Sequence, residues 1–276
     1  MIYRLLAAPW TGGHKQNPGF CSIDIFRKVM DLCPKVGANF LRMNSGADLG
    51  LDPNWDFQHE LAKEMASRKL GGFLVFGDTR MPVDRAQRVW DHWCDVYAAS
   101  GLNPKTHLIA GDDNEAGYFG GGDRERTAPR DQEGVIPQDR LADILRLAKG
   151  LNTHGCLLSA PNVEAEKPES LARELDSLLK LRDDLWRFDI FSFSCYAGKS
   201  QSFRDAVTWR LKKMGAAMGM VRDWPIIVAA EVNREGGKVL SPAAALDEII
   251  LHGKIQGAGW FAGYDRYAPQ FSMIKP

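Results

Sequence analysis

Short apolar segments alternate with longer segments of helical periodicity along the whole chain. Eight apolar segments recur, and their starts lie 32 to 36 residues apart except for one interval of 49 residues. The segments are residues 3–9, 39–44, 72–77, 106–111, 155–160, 189–194, 225–230 and 257–262. Because roughly thirty residues make one strand followed by one helix, the pattern predicts eight consecutive βα units.

Proline at the first helical turn marks the starts of four predicted helices. Pro53, Pro82, Pro137 and Pro242 stand at the beginning of segments with helical spacing. Segment 83–100 is an example, because its apolar side chains recur at intervals of three and four: Val83, Ala86, Val89, Trp90, Trp93 and Tyr97. Such a stripe covers one face of a helix, and we expect that face to pack on a sheet.

The predicted strands are continuous apolar runs, without the alternation of a half-exposed sheet. Continuous runs are typical of parallel strands whose faces are both buried. A flavodoxin-like or Rossmann sheet needs only five or six strands and usually a glycine-rich first turn, whereas residues 9–19 lack the GxGxxG pattern. We therefore predict an α/β fold, a (β/α)8 TIM barrel, in one domain of residues 1–276.

Charge and hydropathy disfavour two classes of partner. The chain carries 35 Lys and Arg against 35 Asp and Glu, scattered along its length, whereas a nucleic-acid partner normally requires a basic excess. No stretch approaches the roughly 18 consecutive apolar residues of a membrane-spanning helix. We expect neither nucleic acid nor a membrane as partner.

The amino terminus and the cysteines give information about the cellular compartment of the protein. Residues 1–10 are broken early by Pro9 and are interpreted as a strand rather than a signal peptide. The localisation stays open between the cytoplasm, a phage or cell wall, and a longer exported protein. The cysteines are odd in number and have no CxxC or CxxH spacing, which favours buried free thiols over disulfides or structural zinc: Cys21, Cys33, Cys94, Cys156 and Cys195.

In a barrel, the residues that follow each strand meet at one rim, where active sites lie. Two carboxylates stand out there, because Glu115 closely follows predicted strand four and Glu231 directly follows predicted strand seven. Each follows a long apolar run, which implies a rigid and poorly solvated setting. Two carboxyls about 5 to 5.5 Å apart have the geometry of retaining glycoside hydrolysis. We expect these two to approach each other across the mouth of the barrel.

With these residues the chain resembles clan A of the retaining glycoside hydrolases and looks like a divergent member. The resemblance spans essentially the whole chain in order and spacing, and it rests on Asn114, Glu115, Glu231, Tyr196, Arg42 and Trp260. It implies a glycosidase of polysaccharide degradation that acts on a polysaccharide or oligosaccharide by double displacement. Glu115 would be the general acid/base and Glu231 the nucleophile.

The resemblance also implies supporting roles. Asn114 would hydrogen-bond the sugar 2-hydroxyl, Tyr196 and Arg42 would hold Glu231 ionised and oriented, and Trp260 would form the floor of a sugar subsite. An arginine and a phenol beside one carboxyl, together with charge repulsion, would separate the pKa values of the two carboxyls. No cofactor and no metal is expected.

The sequence departs from the group at three places. Members commonly show His-x-Tyr at strand six, where this chain has Ser194 and Cys195 before Tyr196. Strand three often ends near a histidine, and here the nearby polar residues are Asp78 and Arg80. Ala116 replaces the common proline after Asn-Glu. These departures argue against a standard cellulase or mannanase.

Two other functions stay open. Asp112, Asp113 and Glu115 resemble a divalent-ion site, which would make the chain a metal-dependent barrel hydrolase, although His14 is the only histidine at a strand end. The chain could instead be a non-catalytic carbohydrate-binding or assembly barrel. Glu164 and Glu235 are rival carboxylates for the catalytic roles.

Aromatic residues and one long loop supply candidates for further substrate contacts. Trp10, His14 and Trp55 are weaker candidates for sugar subsites, whereas the tryptophans on helical stripes are expected in the core: Trp90, Trp93 and Trp209. Residues 118–136 account for the 49-residue interval and are interpreted as a lid or a wall of the cleft, or as a solvated loop.

The last part of the chain predicts an incomplete outer ring. Few residues follow predicted strand eight, and Pro269 and Pro276 limit any helix there. The eighth helix is therefore expected to be reduced or missing. We expect the exposed side of the sheet to be covered by a second copy of the chain or by a flanking domain.

Overall fold

The computed structural model describes residues 1–7, 23–44, 54–76, 83–111, 134–163, 168–181, 184, 187–197, 202–218, 226–234, 247–248, 250 and 256–260. Eight strands lie within these ranges, and each overlaps one of the eight predicted apolar segments. They are β1 Tyr3–Ala7, β2 Phe40–Asn44, β3 Gly71–Val75, β4 Leu108–Gly111, β5 Leu157–Ser159, β6 Ile190–Ala197, β7 Ile226–Arg234 and β8 Gly257–Trp260.

The strands form one parallel sheet in chain order. Each strand pairs with the next, and β8 pairs with β1 over the partners Tyr3 with Gly257 through Leu6 with Trp260. The sheet therefore closes on itself as a barrel. The predicted α/β class with a parallel sheet surrounded by helices is confirmed.

Helices connect the strands, as the crossovers of a parallel sheet require. They are α1 Ile23–Val36, α2 Trp55–Ser67, α3 Val83–Ala99, α4 Pro104–His107, α5 Gln138–Leu151, α6 Pro168–Leu179 and α7 Phe203–Met218. The helices predicted after Pro53, Pro82 and Pro137 are confirmed. Helix α2 begins after Asn54, whose side chain accepts a hydrogen bond from the Phe57 amide at 3.2 Å and so caps the first turn.

The core has two layers, one on each side of the sheet. The outer layer lies between strands and helices and includes the predicted stripe of α3, in which Trp90, Trp93 and Tyr97 are fully buried. The inner layer fills the barrel and contains Tyr3, Leu5, Phe40, Phe73, Val75, Ile109 and Ile190. Both faces of the sheet are thus buried, as the continuous apolar runs predicted.

Strand β6 corrects one sequence-based expectation. Phe191 and Phe193 belong to the outer layer, whereas Ile190 belongs to the inner layer. Ser192 and Ser194 follow Ile190 at intervals of two and therefore share its inner face. The strand alternates between apolar outside and polar inside, so the expectation of no alternation is wrong for β6.

Several other predictions can be compared with the structure only over the residues that it describes. Cys33, Cys94, Cys156 and Cys195 are buried free thiols, as expected. Residues 247, 248 and 250 of the predicted helix 243–254 are helical. The segment after β8, most of loop 118–136 and Cys21 lie outside the described residues. No helix in the described ranges is long and apolar enough to span a membrane.

Candidate functional site

The inner face of the barrel changes from apolar to polar along the strands. Near the amino ends of the strands it is filled by the inner layer, with Leu157 and Ile226 packed against it. Farther along the strands it carries buried polar side chains, which are Arg42, Ser159, Ser192 and Ser194. Buried polar groups are costly unless they serve structure or function, so this end of the barrel is the candidate site.

Three serines and an asparagine link β5 to β6 at this level. The Ser159 Oγ donates to the Ser192 Oγ at 3.3 Å. Past the end of β5, the Asn162 Nδ2 donates to the Ser194 Oγ at 2.8 Å, and the Ser194 amide donates to the Val163 carbonyl at 2.9 Å. All three serines are at most 1% exposed and Asn162 is 3% exposed. They form a rigid polar floor beside β7.

Strand β7 carries one more residue than either neighbour between Ala229 and Val232. Along β6, Ala229 pairs with Phe193 and Glu231 pairs with the next residue, Ser194. Along β8, Ala229 pairs with Ala258 and Val232 pairs with Trp260. The register shifts on both sides, which is the signature of a β-bulge within β7.

The bulge decides the register position of Glu231. In an unbroken ladder, Glu231 would pair with Cys195, which belongs to the outer layer. With the bulge it pairs with Ser194, which stands on the inner face. One inserted residue therefore moves the Glu231 position from the helix-covered side of the sheet to the row of buried polar residues.

Arg42 enters the same end of the barrel from β2. It stands two residues after Phe40 of the inner layer and is only 5% exposed. Its guanidinium carbon lies 5.8 Å from the centroid of the Phe73 ring on β3, so the cation rests over an aromatic face. The sequence-predicted Arg42 is thus a buried cation on the inner face.

Gly111 leaves room for that aromatic support. A Cβ at Gly111, the last residue of β4, would lie 2.4 Å from the Phe73 Cε2 and 3.3 Å from the Leu74 carbonyl oxygen. The close approach of the ring requires glycine at this position. The last residue of β4 therefore lies beside the ring that supports Arg42.

The ladder also positions the backbones of Tyr196 and Trp260. Tyr196 pairs with Asn233, two places beyond the pair of Ser194 and Glu231, and so continues the same row. Trp260 pairs with Leu6 on one side and Val232 on the other. Leu6 belongs to the outer layer. Tyr196 and Trp260 therefore stand on different rows of the sheet.

The other predicted site residues are Trp10, His14, Asn114 and Glu115, which lie outside the described residues. The structure adds Ser159, Ser192 and Ser194, which were not selected as site residues from the sequence. Their signal is present in the period-two run Ser192, Phe193, Ser194. Asn162 is likewise not among the residues selected from the sequence, and its bond to Ser194 connects it to the site.

Comparisons with known proteins give a fold likeness without a sequence match. No protein-family model matches the chain, and a search of curated proteins finds no match. Among solved structures, the catalytic domain of a mannanase from Streptomyces sp. SirexAA-E is similar with a TM-score of 0.55 at 16% identity, over 95% of this chain and 75% of that one.

Two further structures give the same picture. A psychrophilic glycoside hydrolase family 10 endo-β-1,4-xylanase has a TM-score of 0.57 at 11% identity, over 94% of this chain and 86% of that one. A variant of a GH128 (subgroup I) endo-β-1,3-glucanase from Amycolatopsis mediterranei, in complex with laminarihexaose, has a TM-score of 0.52 at 13% identity, over 94% of this chain and 87% of that one. The chain therefore shares its fold with clan A glycoside hydrolases, the group that its sequence resembles.

Proposed function

We propose that this protein is a retaining glycoside hydrolase in which Glu231 is the nucleophile and Glu115 is the general acid/base. The observation that carries the proposal is the bulge in β7, which gives Glu231 the register position of Ser194 on the inner face. Bulges occur often beside active sites, where they redirect a side chain. The proposed scaffold is a (β/α)8 barrel.

The setting suits a carboxylate that must stay ionised. Arg42 brings a buried positive charge to the same end of the barrel, and a nearby cation lowers the pKa of a carboxyl group. Tyr196 shares the row of Glu231 and would add a phenol donor. Glu115, after β4 in the sequence, would keep the proton that the leaving group needs.

The proposed reaction has two steps. The Glu231 carboxylate attacks the anomeric carbon while Glu115 protonates the departing glycosidic oxygen, which leaves a glycosyl-enzyme ester. Glu115 then deprotonates a water that attacks the same carbon and releases Glu231. Asn114 would hold the sugar 2-hydroxyl, and Trp10 and His14 would contact neighbouring sugars.

The similar structures narrow the first substrates to test. Their names describe enzymes of mannan, β-1,4-xylan and β-1,3-glucan. These three polysaccharides, with product analysis, form the first screen. The proposed substrate class is a polysaccharide or oligosaccharide.

Paired carboxylate variants test the assignment. With a substrate from the screen, Glu231→Gln and Glu115→Gln should each lower kcat by on the order of 10²-fold or more while substrate binding is retained. Glu164→Gln and Glu235→Gln are matched controls and should keep near wild-type activity. Loss of activity in a control with retention in Glu231→Gln would overturn the assignment.

A covalent label gives a second, independent readout. A mechanism-based 2-fluoro glycoside should accumulate as an ester on Glu231, and peptide mass spectrometry should locate it.

Turnover should also survive a chelator, whereas loss of turnover on chelation would favour a metal-dependent hydrolase. Binding without turnover in the wild-type protein, unchanged in both glutamine variants, would instead indicate a carbohydrate-binding barrel.

A further inference from the structure

Two cysteines bring their thiols together at the amino end of the barrel. Cys94 lies in α3 and Cys156 directly precedes β5. Cys94 is 1% exposed and Cys156 is 6% exposed, and neither is in a disulfide. Their side chains hydrogen-bond each other. The structure thus contains a reduced, paired dithiol outside the proposed active site.

A stiff turn holds Cys156 close to the surface. Gly155, just before it, is exposed and adopts a left-handed φ of 64°. The His154 Nε2 lies 2.6 Å from the Asp91 Oδ1 on α3, one helical turn before Cys94. The turn is therefore tied to α3 one helical turn before Cys94.

The two thiols have different chemical environments. The hydrogen bond from Cys94 is the main cause that lowers the pKa of Cys156; burial opposes it, and the positive charge of Lys105 lowers it further. The Lys105 Nζ lies 3.3 Å from the point where a Cβ on Gly155 would stand. The same hydrogen bond and burial raise the pKa of Cys94. Cys156 is thus the more readily ionised thiol and also the more exposed one.

We propose that Cys94 and Cys156 are a redox-active pair that closes to an intramolecular disulfide when the protein meets a hydroperoxide. The Cys156 thiolate attacks one peroxide oxygen, the O–O bond breaks, and hydroxide leaves and becomes water on taking a proton. The Cys94 sulfur then attacks the sulfenic sulfur of Cys156. The S–O bond breaks, and the departing oxygen takes the Cys94 proton and leaves as water.

The electrons and atoms balance across the two steps. Two thiols lose two electrons and two protons, and one hydrogen peroxide is reduced to two waters. The oxidant is a small hydroperoxide, which suits a thiol that is nearly buried. The product would tie the middle of α3 to the start of β5.

Cys33 supplies an internal reference within the same chain. It is 2% exposed, its Sγ lies 3.5 Å from the Val29 carbonyl oxygen, and burial raises its pKa to about 12. The positive charge of Arg68 lowers the pKa of Cys33 only in part. Cys33 should therefore stay reduced while the pair oxidises.

The test uses the folded wild-type protein and needs no substrate. Samples treated with graded hydrogen peroxide are quenched with an alkylating reagent and mapped by non-reducing peptide mass spectrometry. A Cys94–Cys156 crosslinked peptide should form at least about tenfold faster than any oxidised form of Cys33. Dithiothreitol should restore both thiols together.

Two variants assign the order of the steps. In Cys94→Ala, Cys156 should be trapped by dimedone as a sulfenic acid, whereas the matched variant Cys33→Ala should form the disulfide at the wild-type rate. The proposal is overturned if the wild-type protein forms no crosslink, if Cys156 oxidises no faster than Cys33, or if either cysteine of the pair crosslinks to a different one. Because the main readout is on the wild-type chain, poor folding of a variant does not affect it.

Discussion

Glu231 of β7 stands opposite Ser194 of β6, although Phe193, the residue just before Ser194, pairs with Ala229 rather than with Ala230. The extra residue of β7 changes the side of the sheet to which the Glu231 position belongs. Inner and outer positions alternate strictly along a strand, so one residue is enough for the exchange. The candidate nucleophile therefore depends on a backbone irregularity as much as on its own identity.

Deletion of Ala230 should remove the bulge and leave Glu231 opposite Ser194, because Glu231 then directly follows Ala229, the partner of Phe193. We expect the deletion variant to keep clearly more activity than Glu231→Gln, because the carboxylate position stays on the inner face. Deletion of Gly237 shortens the chain after β7 and is the matched control. Activity assays with far-UV circular dichroism check both. A loss of on the order of 10²-fold or more in an Ala230 deletion that folds, as in Glu231→Gln, would contradict the register argument.

Arg42→Met should change the pH profile of the proposed hydrolase. Removing a nearby positive charge raises the pKa of a carboxyl group, so Glu231 would stay protonated to higher pH. The acidic limb of kcat/KM should therefore move to higher pH, and the maximal rate should fall. Arg4→Met is the control, because Arg4 pairs with Asp247 at the amino end of the barrel. If the acidic limb of Arg42→Met stays at the wild-type pH, Arg42 does not lower the pKa of the nucleophile.

Asn162 and Ser194 should be energetically coupled. Ser194→Ala removes the acceptor of a 2.8 Å hydrogen bond in a buried setting, and the expected cost is about 1–3 kcal/mol in the free energy of unfolding. A double-mutant cycle with Asn162→Ala should give a coupling of at least about 0.5 kcal/mol. A second cycle, which pairs Ser194→Ala with Ser177→Ala on α6, should give additive effects. Additivity of the first pair would exclude a shared polar floor.

Gly111→Ala should disturb the support of Arg42. The new methyl group would meet the Phe73 ring, and the expected loss of stability is about 1–3 kcal/mol. Phe73→Leu in the same chain should recover part of that loss. Gly72→Ala is the control, because its nearest contact would be the Leu108 Cδ2 at 3.1 Å, the end of a flexible side chain. Chemical denaturation measures all four proteins.

His92 should make the protein less stable in acid. Burial, and then the nearby His59, lower the pKa of His92. The two rings lie 5.3 Å apart between centroids, and the His92 Nε2 is buried without a hydrogen-bond partner among the described residues. The unfolded chain therefore binds a proton more readily than the folded one, since its histidine titrates near pH 6.5.

The stability contributed by neutral His92 should be present above about pH 6.5 and should be lost as the pH falls from there to the lower pKa of the folded protein. His92→Phe keeps an aromatic ring beside Trp55, which lies 5.7 Å away. This variant should lose less free energy of unfolding than wild type between about pH 7 and pH 5. Trp55→Phe changes the neighbouring ring without removing a titratable group and should keep the wild-type acid dependence. Equal acid sensitivity of His92→Phe and wild type would contradict the assignment.

Local patterns predicted the strands and helices well because burial acts on each segment separately. The eight apolar segments match β1 to β8 in order, and the α3 stripe of Trp90, Trp93 and Tyr97 is buried as expected. The serines of β6 were missed because a short hydroxyl side chain is tolerated in an otherwise apolar run. Their alternation with Phe191 and Phe193 was visible in the sequence and would have identified an inner polar face.

The sequence by itself determined the number and order of the βα units and the α/β class, because these follow from periodicity. It also singled out Glu231, which directly follows an apolar run, whereas Arg42 was a candidate through the resemblance. Only the tertiary structure decided which residues share a row. The bulge in β7, the bond between Asn162 and Ser194, and the contact between Cys94 and Cys156 depend on the pairing of distant segments. Strand register and helix packing bring those segments together, and neither is encoded in a local pattern.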